Sequence, residues 1–158
     1  MRLSTLGLLV ALALGIGLCG PSRAAIARRV QVGTAAQAKA MLARAVAAVQ
    51  ADKAHALELF NKGEDGFKYH DLQPFCFNVS DGTITAAPVP QLLGIDIRGL
   101  KDNNGKEVGQ AIYHAATEGK ITKVSYLFPH PRMHPTPFQK ASLITRVGDQ
   151  GCGVSYFK

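Results

Sequence analysis

The 158-residue sequence lacks the short motifs around which most catalytic sites are built. It has no glycine-rich phosphate loop, no Gly-x-Ser-x-Gly turn to lift a nucleophilic serine, and no His-Glu-x-x-His pair to hold zinc. The carboxylates Glu64, Asp65, Asp71 and Asp81 fall in loops or turns, with no apolar setting to tune them for acid or base work. The chain therefore reads as non-catalytic and without a cofactor. Acidic residues are fewer than basic ones, 11 against 18, yet the basic ones are scattered and Arg28-Arg29 is the only adjacent pair. No basic stripe is interleaved with aromatics, which excludes a nucleic-acid surface.

Long apolar runs are missing as well. The longest, Leu6 to Leu18, has 13 residues, too few to cross a hydrocarbon core of ~30 Å as a helix. Arg2 precedes it, and Ser22 and Ala24 are small residues at the positions that signal peptidase reads. Residues 1–24 are thus expected to be a cleaved secretory signal, which makes the product periplasmic or secreted. Leu18 before Cys19 is too large for lipidation of that cysteine. Removing residues 1–24 takes away Arg2 and Arg23 and no acid, lowering the formal net charge from +7 to +5. The remaining residues, 25–158, suffice for one domain with its own core.

Cysteine is scarce: only Cys76 and Cys152 remain after cleavage. In an exported protein an even pair points to a disulfide, with two free thiols buried in strands as the alternative. Neither has a nearby histidine in sequence to activate it.

What is present has a clear order. Thr34 can cap a long helix from Ala35 to Asn61, with Met41, Leu42, Val46, Val49, Ala56, Leu57 and Phe60 on one side and Gly63 as the stop. "QPFCFNVSDGTITAAP" reads as a hairpin about the Asp81-Gly82 turn. Its Asn78-Val79-Ser80 sequon lies within a strand and is read as chance. A short amphipathic helix spans Glu107 to Glu118. "ITKVSYLF", "FQKASLITRV" and "GCGVSYFK" supply three more strands. The first two are joined by a segment holding four prolines within residues 128–138, which cannot pair as a central strand. That loop offers His130, His134 and the weak ligand Met133, too few for a metal site. The Asp102-Asn103-Asn104-Gly105 stretch lacks the offsets of a calcium loop and reads as a turn.

The pieces "ALELFNKGEDGF", "FCFNVSDGTITAAPVPQLLGIDIRGLKDNNGKEVGQAI", "VSYLFP" and "KASLITRVGDQGCGVSYFK" resemble a single Cache domain, the extracellular sensor module of many bacterial chemoreceptors and histidine kinases. The resemblance covers nearly all of residues 25–158. It implies an α+β fold: a five-stranded antiparallel PAS-like sheet with the long N-terminal helix on one face and short helices over a ligand pocket on the other. It also implies a small organic acid or amino acid as ligand, and it makes the strands of Cys76 and Cys152 neighbours. Similar domains often carry a histidine where this chain has Ala87 before Pro88, which implies a more apolar pocket or a different ligand. With no output segment expected in the chain, the resemblance implies action through a partner: a membrane receptor, a transporter, or a second copy docked through the long helix. A structural or interaction protein with a closed pocket is the alternative.

Strand alternation places the candidate ligand residues. Phe138, Lys140, Ser142 and Ile144 share one face. Lys140 sits among apolar neighbours, where an ammonium needs water or an anion. It is either an edge lysine whose stem covers the sheet or the partner of a ligand carboxylate, helped by the hydroxyls of Tyr126 and Ser142. If Cys76 and Cys152 bond across adjacent strands, then Phe75 and Phe77, with Gly153 and Ser155, lie on the opposite face. There the two rings would wall a pocket left open by the bare backbone at Gly153. Tyr113 on the short helix either closes that pocket or simply packs.

Overall fold

The computed structural model describes residues 31–129 and 137–158. The signal segment at residues 1–24 and the metal question at His130, Met133 and His134 lie outside the described residues. Thr34 opens helix α1 (Ala35–Ala51) with a reciprocal cap: its hydroxyl accepts from the Gln37 N–H, and the Gln37 side chain accepts from the Thr34 N–H. This satisfies two of the amides that a helix start leaves unpaired.

The long helix expected from Ala35 to Asn61 is broken. Asp52 is extended, with φ −154° and ψ 100°, and its carboxylate caps a second helix, α2 (Lys53–Lys62), by accepting from the His55 N–H. Aspartate competes with the helical backbone for such bonds and so favours caps over helix interiors. The break lets α1 lie over the middle of the sheet while α2 turns toward its edge. There Asn61 donates to the Thr85 carbonyl and accepts from the Ala87 N–H. Gly63 closes α2 at φ 67°, a left-handed conformation that glycine adopts without a Cβ penalty.

The strands are β1 (Pro74–Asn78), β2 (Ile84–Ala86), β3 (Thr122–Phe128), β4 (Phe138–Val147) and β5 (Gln150–Phe157), with helix α3 (Val108–Ala115) before β3. They form one antiparallel sheet in the order β2-β1-β5-β4-β3. β4 therefore lies inside the sheet, between β3 and β5, and Lys140 is not an edge-strand lysine. Cys76 pairs with Cys152 in register, and the two form a disulfide with Cα atoms 4.1 Å apart.

One face carries Cys76, Ala141, Val147, Cys152, Val154 and Tyr156 and packs against Ala38, Met41, Leu42, Ala45, Val49, Ala56 and Phe60 of α1 and α2. The alanines at 38 and 45 let α1 approach the strands closely. The other face buries Phe77 and Ile144 beneath Ile97 and the α3 residues Val108, Ile112 and Ala115. Gly109 is required at that contact, because a Cβ there would fall 1.7 Å from the Ile97 carbonyl oxygen. The structure is thus α+β, a five-stranded antiparallel sheet between unequal helical covers.

Candidate functional site

Pairing across the strands fixes which side chains stand together on the α3 face. One rung holds Phe77 and Gly151, the next Phe75, Gly153 and Ile144, the next Ser155, Ser142 and Val124, and the next Phe157, Lys140 and Tyr126, beyond which Phe128 pairs with Phe138. The face expected for Phe75, Phe77, Lys140, Ser142 and Ser155 is the face they occupy, and Cys76 and Cys152 point the other way.

These residues separate into two groups. Phe77 and Tyr113 belong to the end covered by α3. Their ring centroids are 5.8 Å apart, the Tyr113 hydroxyl donates to the Val79 carbonyl at 2.6 Å, and the Arg98 guanidinium stacks over the Tyr113 ring at 5.3 Å. Tyr113 is held as packing. The aromatic rings also fill the space above the bare glycines. A Cβ on Gly151 would meet the Phe77 ring at 2.3 Å, and one on Gly153 would meet the Phe75 ring at 2.5 Å. The room expected above Gly153 is taken by Phe75.

Tyr126, Ser142, Ser155 and Lys140 form the second group, on the half of the face that α3 leaves half-buried. The three hydroxyls lie within hydrogen-bonding distance of one another: Ser142 to Ser155 at 2.7 Å, Tyr126 to Ser142 at 3.0 Å and Tyr126 to Ser155 at 3.2 Å. Ser142 is fully buried, and its partners reach toward solvent.

Lys140 stands beside this trio with its Nζ 4.7 Å from the centroid of the Phe128 ring and 4.9 Å from that of Phe157. Ring faces attract an ammonium, but they accept no strong hydrogen bond. Burial pushes the Lys140 pKa below the ordinary lysine range, and the charge of Asp71 opposes that shift only in part. Among the described residues no carboxylate lies within ion-pairing distance of Lys140; the ion pairs found are Lys53–Asp149, Lys62–Glu58 and Arg98–Asp96. The nearest acid in effect, Asp71, uses one oxygen to accept from the Gly33 N–H at 2.5 Å, and its other oxygen is buried without a partner.

Sequence reasoning missed Phe128 and Phe157 as the neighbours of this ammonium. The signal was available for Phe157, which shares the parity of Ser155, once the β4–β5 register was known. A shallow groove of about 390 Å³ also lies on the helical side, at the α1–α2 bend, lined by Arg44, His55, Leu59 and Phe67 among others. It is on the opposite side of the sheet from Lys140. Arg44 there already donates to the Gly66 carbonyl and covers the Phe67 ring, so the groove offers less to a ligand than the lysine does. Among the described residues no cluster of three or more His, Cys, Asp or Glu is placed to hold a metal.

No protein-family model matches the sequence, and no curated protein matches it. Solved structures do match the fold. A methyl-accepting chemotaxis protein from Vibrio parahaemolyticus RIMD 2210633 superposes with a TM-score of 0.61 at 20% identity, over 77% of this chain and 86% of that one. The periplasmic sensor domain of a chemotaxis protein gives 0.55 at 21% identity, over 75% and 86%. A Cache chemosensory domain, described for its carboxylic acid recognition, gives 0.52 at 19% identity, over 75% and 84%. At these identities the likeness is one of fold: the five-stranded antiparallel sheet with helical covers is the architecture that this chain shares with these solved domains.

Proposed function

We propose that residues 25–158, freed of a signal at 1–24, act outside the cytoplasm as a non-catalytic sensor-type domain. It binds a small anionic metabolite, an organic acid or amino acid, at the Lys140 end of the α3 face, and it acts through a partner such as a membrane receptor, a transporter or a second copy. The observation that carries this reading is Lys140: an ammonium withdrawn from water beside two aromatic rings and three hydroxyls, with no carboxylate within ion-pairing reach among the described residues. A buried cation of this kind is stabilised by an anion that brings its own hydrogen-bond acceptors. The recognition of carboxylic acids by a solved protein of the same fold supports the same class of ligand.

Thermal-shift screening of the purified protein against small carboxylates and amino acids, followed by titration of Lys140→Met, tests the proposal. Methionine keeps most of the stem's packing and removes the charge. Loss of a charge-assisted hydrogen bond should weaken binding by about 1.5–3 kcal/mol, roughly tenfold to a hundredfold. Unchanged affinity in Lys140→Met would place the ligand elsewhere.

A second reading, a structural or interaction protein with a closed pocket, is favoured by the Phe75 and Phe77 rings lying on Gly153 and Gly151. Under that reading no small molecule shifts the melting temperature of the wild type.

A further inference from the structure

The hydroxyl trio restricts what kind of anion this face can accept. Each hydroxyl carries one proton and two lone pairs. Tyr126, Ser142 and Ser155 make three mutual contacts, so satisfying all three uses every proton and leaves one lone pair on each oxygen. The closed ring can accept a hydrogen bond from a newcomer but has none to donate. Lys140 is its opposite, with three donors and no acceptor. The two lie side by side, because Lys140 and Ser142 are alternate residues of β4 on one face, roughly 7 Å apart along the strand.

A carboxylate laid against the ring would meet only lone pairs, whereas laid against Lys140 it meets donors. The ring, already satisfied by its own three contacts, has a spare lone pair on each oxygen, so a donor carried close to the carboxylate would gain a hydrogen bond there that a plain carboxylate cannot. We infer that the site takes a 2-hydroxy carboxylate, its carboxylate on Lys140 and its hydroxyl donating to the Tyr126–Ser142–Ser155 ring. This rests on the sheet-face reading above and narrows its ligand class. A 2-amino acid also brings a donor, but it sets a second ammonium near Lys140 in a half-buried setting, where like charges oppose each other strongly. A plain carboxylate fills the lysine half alone.

Calorimetric titration with propanoate, 2-hydroxypropanoate and 2-aminopropanoate tests this on the purified chain. One added net hydrogen bond predicts about tenfold tighter binding of 2-hydroxypropanoate than of propanoate, with 2-aminopropanoate weaker than the hydroxy acid. Ser155→Ala leaves two hydroxyls sharing one bond and frees a proton for the carboxylate. The hydroxy-acid preference should then shrink to within about twofold, with propanoate binding retained or improved, and a preference that persists in this variant overturns the role of the ring. Equal wild-type affinity for propanoate and 2-hydroxypropanoate, with both weakened in Lys140→Met, overturns the hydroxy-acid inference and leaves the sheet-face reading standing. Binding that ignores Lys140→Met, or no binding of any of the three, overturns both.

Discussion

The two faces of the sheet are made by the same strands and differ in what covers them. Beneath α1 and α2 the inward positions are cysteine, valine, alanine and tyrosine, joined by a disulfide and filled by Leu42 and Phe60 at full burial. Beneath α3 only one end is filled in this way, by Phe77, Ile144 and the α3 side chains, and the other end carries Tyr126, Ser142, Ser155 and Lys140. α1 spans 17 residues and α3 only 8. At 1.5 Å per residue, the short helix cannot reach along the whole sheet. The end beyond it is where polar side chains stand in the middle of the sheet, their desolvation offset by the hydrogen bonds that the three hydroxyls make with one another. One face holds the fold together, and the other combines packing with the polar group proposed above to meet a ligand.

This contrast can be tested by removing parts of each face in turn. The largest loss is expected from opening the disulfide. Replacing Cys76 and Cys152 together by alanine releases a constraint between residues 76 positions apart, which the chain-entropy model values at about 4 kcal/mol. Urea denaturation of the double variant should show this loss, and a loss under ~1 kcal/mol would mean that the pair contributes little to the helix-covered face. Leu42→Ala, a truncation at a fully buried α1 position, should cost about 3 kcal/mol in the same assay.

Gly109→Ala addresses the α3 end. Alanine improves helix propensity by about 1 kcal/mol, but its Cβ would collide with the Ile97 carbonyl, and overpacking of this kind costs roughly 1–3 kcal/mol. A net loss of up to about 2 kcal/mol is expected, with Leu42→Ala the more damaging of the two. The reverse ranking would contradict the division between the faces.

The smallest effect concerns pH. The folded-state pKa of Lys140 lies below its ordinary value of 10.5 because burial disfavours the charged form. Between the folded and unfolded values the unfolded chain binds the extra proton, so stability rises with pH across that window and the penalty is fully present below it. Measured at pH 8 and pH 10, the wild type should gain stability relative to Lys140→Met, and parallel behaviour would show that the lysine is not desolvated. Ligand anions should reverse the shift, so their affinity should fall as pH rises through the folded-state value.

Much of this molecule was legible in its residues. The run FQKASLITRV matches β4 at both ends, because its apolar alternation is bounded by the proline-rich segment before it and a Gly-Asp turn after it. Parity placed Phe75, Phe77, Lys140, Ser142 and Ser155 on one face and the cysteines on the other, since a period of two leaves no freedom once a register is given. The break at Asp52 was written as an N-cap residue, but alanines on both sides masked it, because alanine favours helix wherever it stands.

By itself, the sequence determined the elements, the faces of the strands and the scarcity of groups for catalysis, because these follow from local periodicity and residue chemistry. Tertiary structure alone decided that β4 lies inside the sheet, that Phe128 and Phe157 flank Lys140, that Phe75 fills the space above Gly153, and that Tyr126, Ser142 and Ser155 close on one another. These depend on strand order and on side chains from three or four separate segments meeting within a few ångströms. Local pattern carries no distance between segments far apart in the chain, and the protonation of Lys140 and the hydrogen bonding of three hydroxyls depend on just those distances.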